Sequence, residues 1–317
     1  MSKPYHSFSR RRFLASTGLF SAAAWLSPRQ LFAAEADIVT TVLKHGATAK
    51  ITVQPLRENV SALIGSGGNI AVLTGPDGKV MVDAGFSTSR GQIADALVKI
   101  GAEPLKHLIN THWHFDHTDG NSWMHAAGAT ILAHVNTREH LSHTTRVEAW
   151  HHTFLPSPAG ALPTEIFERK QSLHLNGTEI ALTYYGPSHT DSDISAYFVQ
   201  EDVFHTGDTW WNGYYPFIDY STGGNIYGMI KAAEINLASI THKTIVIPGH
   251  GPIGGKTEMT DYRNMLVTIR DRVAALKKQG KSLSEVIAAK PTKEYDSKWA
   301  THLTTGDVFT KYVYQGV

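Results

Sequence analysis

Short apolar runs of strand length alternate with longer stretches of helical spacing along most of this chain. Residues 51–56, 60–64, 69–73 and 79–82 are apolar runs bounded by turn formers, and they read as strands. Gly75-Pro76-Asp77-Gly78 separates the last two as a tight hairpin turn. Residues 88–100 place Ile93, Ala94, Leu97 and Ile100 at helical spacing, and Gly101 closes the helix. The alternation then continues with strands over 106–110, 130–133, 178–185 and 243–247, and a hairpin pair over 194–199 and 202–206. Helices are expected over 121–127, 225–238 and 261–279, the last carrying Leu266, Ile269, Val273 and Leu276 on one face. Asn225 stands where a helix N-cap is needed. The pattern is α/β in two similar halves, about 50–180 and 180–290.

One segment departs from it. Residues 134–169 are rich in His, Thr, Pro and aromatics, with Trp150, His151, His152 and Phe154 ahead of Pro156 and Pro158. They read as an excursion over the mouth of a site, or equally as a surface loop covering the sheets.

Composition narrows the chemistry. The chain has 317 residues, 42% of them hydrophobic and 18% charged, in the range of a globular protein. It contains no cysteine, which removes disulfides, thiolate nucleophiles and sulfur-ligated metal sites together. Any metal must be held by His, Asp and Glu, and there are 18 histidines to draw on. At the start, Ser9-Arg10-Arg11-Arg12-Phe13-Leu14 precedes a mild apolar stretch to Leu26 and a small-x-small step, Ala34-Glu35-Ala36. This resembles a twin-arginine export signal, so residues 1–36 are expected to be a removable leader, the export machinery a partner and the periplasm the destination. The stretch is too short and too polar to serve as a stable membrane anchor. Removal of the leader takes five basic residues and one acid, leaving 24 basic against 27 acidic residues. A mildly acidic chain over 37–317 has no electrostatic reason to seek nucleic acid.

The densest signal is Thr111-His112-Trp113-His114-Phe115-Asp116-His117-Thr118-Asp119-Gly120, directly after the strand at 106–110. In an extended segment His112, His114 and Asp116 project to one side, whereas a helix would scatter them, so a loop at a strand end is expected. Neutral imidazole and carboxylate are suitable zinc ligands where thiolate is absent. Trp113 and Phe115, interleaved with these residues, are expected to pack beneath the site.

His112-x-His114-x-Asp116-His117 resembles the signature of the metallo-β-lactamase superfamily. Three later segments resemble its remaining elements in order: Gly186-Pro187-Ser188-His189-Thr190, Thr206-Gly207-Asp208-Thr209 and Pro248-Gly249-His250-Gly251. The resemblance spans about 50–255 and implies an αββα sandwich with a dinuclear zinc hydrolase site. It implies His112, His114 and His189 on one zinc, Asp116, His117 and His250 on a second, and Asp208 bridging both. Asp83, at the end of the 79–82 strand, matches an aspartate that would orient a histidine ligand from behind. The implied reaction is attack on a carbonyl of a small-molecule lactone, ester, thioester or amide by a hydroxide held between the two ions. Asp116 would also steer protons during that reaction.

β-Lactam hydrolysis is an alternative on the same scaffold; an iron-dependent oxygenase and a phosphodiesterase are weaker ones. His205 reads as a structural histidine, while His134, His151 and His152 receive no role. The aromatic run at 210–217, Trp210-Trp211-Asn212-Gly213-Tyr214-Tyr215-Pro216-Phe217, either lines a pocket or fills the core.

Overall fold

The computed structural model describes residues 38–317. The expected leader lies outside the described residues. Among the described residues, no helix is long and apolar enough to cross a membrane.

The described residues open with α1 (Ile38–Gly46) and run through β1 (Thr52–Arg57), β2 (Val60–Ile64), β3 (Ile70–Leu73), β4 (Lys79–Val82), α2 (Arg90–Ile100) and β5 (Leu105–Ile109). A single helical turn, α3 (Phe115–Thr118), and α4 (Asn121–Ala126) lead to β6 (Thr130–His134). After α5 (Val135–Ser142), the strands β7 (Thr145–Val147) and β8 (His152–Phe154) form a separate hairpin. β9 (Glu165–Phe167) then returns to the first sheet. The second sheet is built from β10 (Lys170–Leu175), β11 (Thr178–Tyr184), β12 (Ile194–Phe198), β13 (Val203–His205) and, after α6 (Ile226–Ser239), β14 (Ile245–Ile247). Four helices finish the chain: α7 (Lys256–Lys278), α8 (Leu283–Ala288), α9 (Asp296–Trp299) and α10 (Gly306–Gly316).

The first sheet has seven strands in the order β1-β2-β3-β4-β5-β6-β9, antiparallel to β4 and parallel thereafter. The second has five, β10 to β14 in order, with only the last pair parallel. Their facing sides share one core, in which Val60, Leu73, Val82 and Ile109 meet Leu182, Ile194, Phe198 and Val203. On the far side of the first sheet, Val72, Met81 and Leu108 pack against Ile93 and Leu97 of α2 and Met124 of α4. On the far side of the second, Phe204 and Val246 pack against α6, α7 and α10 through Met229, Leu266, Ile269 and Phe309. The result is the αββα sandwich, with parallel strands running buried on both faces as such strands must.

Two expectations need correction. The halves divide at about residue 170 rather than 180, and they hold seven and five strands. The segment 134–169 is not a loop: it contains α5, the β7–β8 hairpin and β9, which pairs with β6 as the edge strand of the seven-stranded sheet. Its short strands gave no clear alternation, and their polar residues masked them. His134 belongs to this framework: its Nδ1 accepts from Asn136 N at 3.2 Å, capping α5, its Nε2 donates to Glu168 O at 3.0 Å, and its ring stacks on Tyr184 at 3.8 Å.

Candidate metal centre

The seven side chains singled out in the sequence converge at one end of the sandwich, where strands of both sheets end. Thr111 to Trp113 follow β5 as a bent segment, and α3 begins immediately after His114. That helical turn is a correction to the loop expectation. It separates the cluster in two: His112 and His114 turn toward His189, while Asp116 and His117, on the turn itself, face His250. The hydroxyl of Thr118 closes the turn by donating to Trp113 O at 3.1 Å and His114 O at 3.0 Å.

Three groups of ligand-type atoms result, each lying within 4.8 Å: His112, His114 and His189; Asp116, His117 and His250; and His112, His117 and Asp208. Asp208 stands between the first two. One of its oxygens is 3.1 Å from His117 Nε2, and the other lies 3.4 Å from His189 Nε2 and 3.3 Å from His250 Nε2.

Hydrogen bonds to the outer ring nitrogens settle which nitrogen faces inward. His189 Nδ1 donates to the Phe217 carbonyl at 2.9 Å, and His114 Nε2 donates to Asp219 Oδ2 at 3.0 Å. His117 Nδ1 donates to Asp83 Oδ2 at 2.7 Å. The hydroxyl of Thr111 is spent donating to Asp83 at 2.8 Å, so it accepts from His112 Nδ1 at 3.1 Å. A neutral imidazole has one N–H, so the inward nitrogen of each of these four rings carries a lone pair. Lone pairs then oppose each other across 2.9 Å between His189 Nε2 and His114 Nδ1. The inward atoms His112 Nε2, His117 Nε2, Asp208 Oδ1 and His250 Nε2 are buried with no hydrogen-bond partner of acceptable geometry. Such an arrangement is costly unless cations fill it. The donor set, nitrogen and carboxylate oxygen without sulfur, fits metal ions of the zinc type.

The electrostatics agree. Burial lowers the pKa of His112 well below its ordinary value, with His117 adding to the effect, and burial takes His189 down to about 4. Burial opposes ionisation of Asp208 and Asp116 also, but the neighbouring imidazoles outweigh it and hold both carboxyls well below the usual carboxylate range. Without metal, the same carboxylates overcome burial at His117, raised well above its ordinary value, and at His250, raised to about 9. Protons there occupy places a cation would take.

Asp83 sits in the left-handed region, φ 69°, at the end of β4, and also accepts from Thr111 N at 2.7 Å. Asp83→Asn keeps the size and tolerates the backbone, but its amide cannot accept all three bonds. Metal affinity is expected to fall ~10- to 100-fold, read by competition with a chromophoric chelator. Unchanged affinity would show that the His117 ring is held by something else.

A cavity of about 80 Å³ opens beside the cluster, touching His114, His189, Asp208 and His250. Trp150 reaches it from the turn between β7 and β8; His151 and His152 do not line it. The aromatic run divides: Trp211 and Phe217 line the cavity, while Trp210 and Tyr215 are fully buried in the core. Trp113 packs beneath as expected, 2% exposed and donating to Thr222 Oγ1 at 3.2 Å, but Phe115 faces the cavity instead. His205 is a structural residue, donating through Nε2 to Asn69 O at 2.9 Å and accepting through Nδ1 from Gly207 N at 3.0 Å.

Several participants escaped the sequence reading. Asp219 has no motif around it. Gly68 is also essential to the shape: a Cβ there would lie 2.1 Å from His117 Cε1. Ile38 and Val42 of α1 and His302, Leu303 and Tyr312 near the C-terminus line the cavity from both ends of the described chain. Only the pattern Val308, Phe309, Tyr312, Val313, an apolar face on α10, signalled that this end returns to the core.

The profile of the Metallo-beta-lactamase superfamily matches residues 63–250, from β2 to the last of the seven convergent residues. The chain belongs to that superfamily, whose members include metal-dependent hydrolases. It is 28% identical over 182 residues to the 2,4-dinitroanisole O-demethylase subunit alpha of Nocardioides sp. (strain JS1661), a match covering 56% of this chain and 52% of that one. The chain thus spans about half the length of that relative. Among solved structures, the stereoselective inverting sec-alkylsulfatase Pisa1 from Pseudomonas sp. superposes with a TM-score of 0.64 at 18% identity, over 91% of this chain and 54% of that one. The DIM-1 metallo-beta-lactamase superposes at 0.56 and 20% identity, over 69% of this chain and 98% of its own. These two likenesses concern the fold.

Proposed function

We propose that the protein is a dinuclear zinc hydrolase acting on an uncharged carbonyl substrate, an ester or lactone of small size. The observation that carries this reading is the set of inward lone pairs: two triads of ligand atoms, each backed by its own hydrogen bonds and joined by one carboxylate. His112, His114 and His189 would hold one ion, Asp116, His117 and His250 the other, and Asp208 both. Bound there, the ions would supply Lewis acidity and bring the pKa of a water toward neutrality.

The chain's own residues do the rest. Asp219, Asp83, Thr111 and the Phe217 carbonyl hold the rings in the required tautomers. Asp116, whose carboxylate lies 3.1 Å from His250 Nε2 and borders the cavity, is placed to accept and pass on a proton at Oδ2. The apolar cavity walls exclude water from the reacting carbon. Among the described residues the cavity lining holds no Lys or Arg, so away from the ions nothing there pairs with the negative charge that a sulfate monoester, a phosphodiester or a carboxylate-bearing β-lactam would bring.

The test is a metal analysis and a substrate panel on the purified protein. About two zinc equivalents per chain are expected, with zinc uptake near neutral pH releasing protons from His117 and His250. Hydrolysis should extend over neutral esters and lactones and disappear on chelation. The panel includes a phosphodiester, an alkyl sulfate, a β-lactam and, because of the demethylase subunit, an activated aryl methyl ether. Turnover confined to any of the first three, or activity undiminished in metal-free protein, would overturn the reading. Cleavage of the ether alone would keep the metal centre and reassign the scissile bond.

A further inference from the structure

Five aromatic side chains from five separate parts of the chain form a continuous arc beside the candidate metal centre. Phe86 and Phe115 have ring centroids 5.5 Å apart, Phe115 and Trp150 5.6 Å, Trp150 and Phe217 4.9 Å, and Phe217 and Tyr312 5.6 Å. All five line the cavity. Trp150 is central: its ring lies 4.9 Å from that of His114 and is braced from behind by Phe154 at 6.2 Å. It is carried by a tight turn in which His151 takes φ 52°, in a hairpin belonging to neither main sheet. Across the cavity Trp211 packs on the His250 ring at 4.2 Å.

An aromatic wall of this kind accepts either a neutral ring, by stacking and edge-to-face contact, or an organic cation. Electrostatics separates the two. A cation cage gains from a carboxylate left over for the guest, but the two in this lining, Asp116 and Asp208, are turned onto the imidazoles at 3.1 Å. With zinc in the site, a cationic group would also face two dications. Away from the ions an anion finds no Lys or Arg among the described lining residues, so the wall itself offers it nothing.

We propose that the arc is an aryl-binding wall, that the substrates carry a neutral aromatic ring next to the scissile bond, and that Trp150 sets the preference for planar over saturated groups. This rests on the hydrolase reading above and narrows it to aryl- or benzyl-bearing compounds. Phe86, Phe115, Phe217 and Tyr312 extend the surface on which such a ring lies. Trp150 lies in neither main sheet and makes no hydrogen bond to a candidate ligand, so its replacement leaves both untouched.

The test compares benzyl acetate with cyclohexylmethyl acetate, which share the acyl group and a similar leaving alcohol. The zinc-loaded protein should favour the benzyl ester about tenfold or more in kcat/KM, chiefly through KM. Trp150→Phe should keep most of that preference, and Trp150→Leu should bring the ratio to within about twofold of one, with zinc content and circular dichroism unchanged. A second arm measures binding of benzyl alcohol and cyclohexylmethanol by titration calorimetry, independently of turnover. Tighter binding of the aromatic alcohol supports the wall even if no ester is cleaved, in which case the hydrolase reading alone fails. Equal handling of the two esters and two alcohols, preference surviving in Trp150→Leu, or acetylcholine outcompeting benzyl acetate would overturn the proposal.

Discussion

Replacing Asp208 by Asn is expected, on the proposed dinuclear reading, to empty at least one metal position and to lower kcat/KM about 1,000-fold, equivalent to ~4 kcal/mol. The reason is geometric. One carboxylate oxygen lies 3.1 Å from His117 Nε2, and the other lies within 3.4 Å of both His189 Nε2 and His250 Nε2, so a single group touches both triads. An amide of the same shape offers one acceptor oxygen and no charge, and two dications held close together need the anion between them. Elemental analysis and kinetics read the outcome, with circular dichroism confirming the fold. Two zinc equivalents and activity within tenfold of the wild type would mean that Asp208 does not join the two positions.

The second large effect is expected at a residue with no side chain. A Cβ on Gly249 would lie 1.9 Å from Asp208 Oδ1 and 2.7 Å from the carbonyl carbon of Gly207. Neither side can yield easily. Gly249 N donates to Gly207 O at 2.8 Å and to Trp210 O at 3.1 Å, and Gly249 O accepts from Asn69 N at 2.8 Å. Gly249→Ala therefore pushes Asp208 out of place or breaks this backbone pinning. Overpacking of this kind costs ~1–3 kcal/mol, which for a chain of this size lowers Tm by roughly 2–12 °C, and zinc content should fall with it. Gly91→Ala supplies the contrast: nothing lies within 4 Å of its added Cβ, and it sits in the first turn of α2. That variant is expected to be neutral or more stable, by up to ~1 kcal/mol. Calorimetric unfolding of the pair, with and without a chelator, checks both. Equal behaviour of the two variants would show that the close approach at Gly249 is relieved without cost.

Much of the framework was legible because it is local. The runs at 60–64 and 79–82 became β2 and β4 almost without change, since their apolar character reflects burial on both faces. Gly78 N closes the expected hairpin turn onto Gly75 O at 3.0 Å, and Asn225 caps α6 by accepting from Gly228 N at 2.7 Å. The 134–169 segment was illegible for the opposite reason. Its strands are three residues long, and β9 owes its place to pairing with β6 rather than to any pattern of its own. The end of the chain carried only the apolar face of α10 as a signal. The motifs stop at His250, yet α10 brings Tyr312 back to the cavity.

The amino-acid sequence by itself determined that His112, His114, Asp116 and His117 gather, because imidazoles and carboxylates at spacings of one and two residues must crowd wherever a strand end delivers them, while His189, Asp208 and His250 were legible only through the resemblance of their segments to the superfamily's elements. It also excluded sulfur chemistry outright, having no cysteine. Only the tertiary structure decided which nitrogen of each ring faces inward. That choice belongs to acceptors far along the chain: Asp219 stands 105 positions from His114, and the carbonyl of Phe217 stands 28 from His189. It likewise decided the character of the cavity, whose aromatic wall joins Phe86, Phe115, Trp150, Phe217 and Tyr312. A tautomer and a wall both arise from contacts that exist only after two sheets have packed, and no local spacing encodes them.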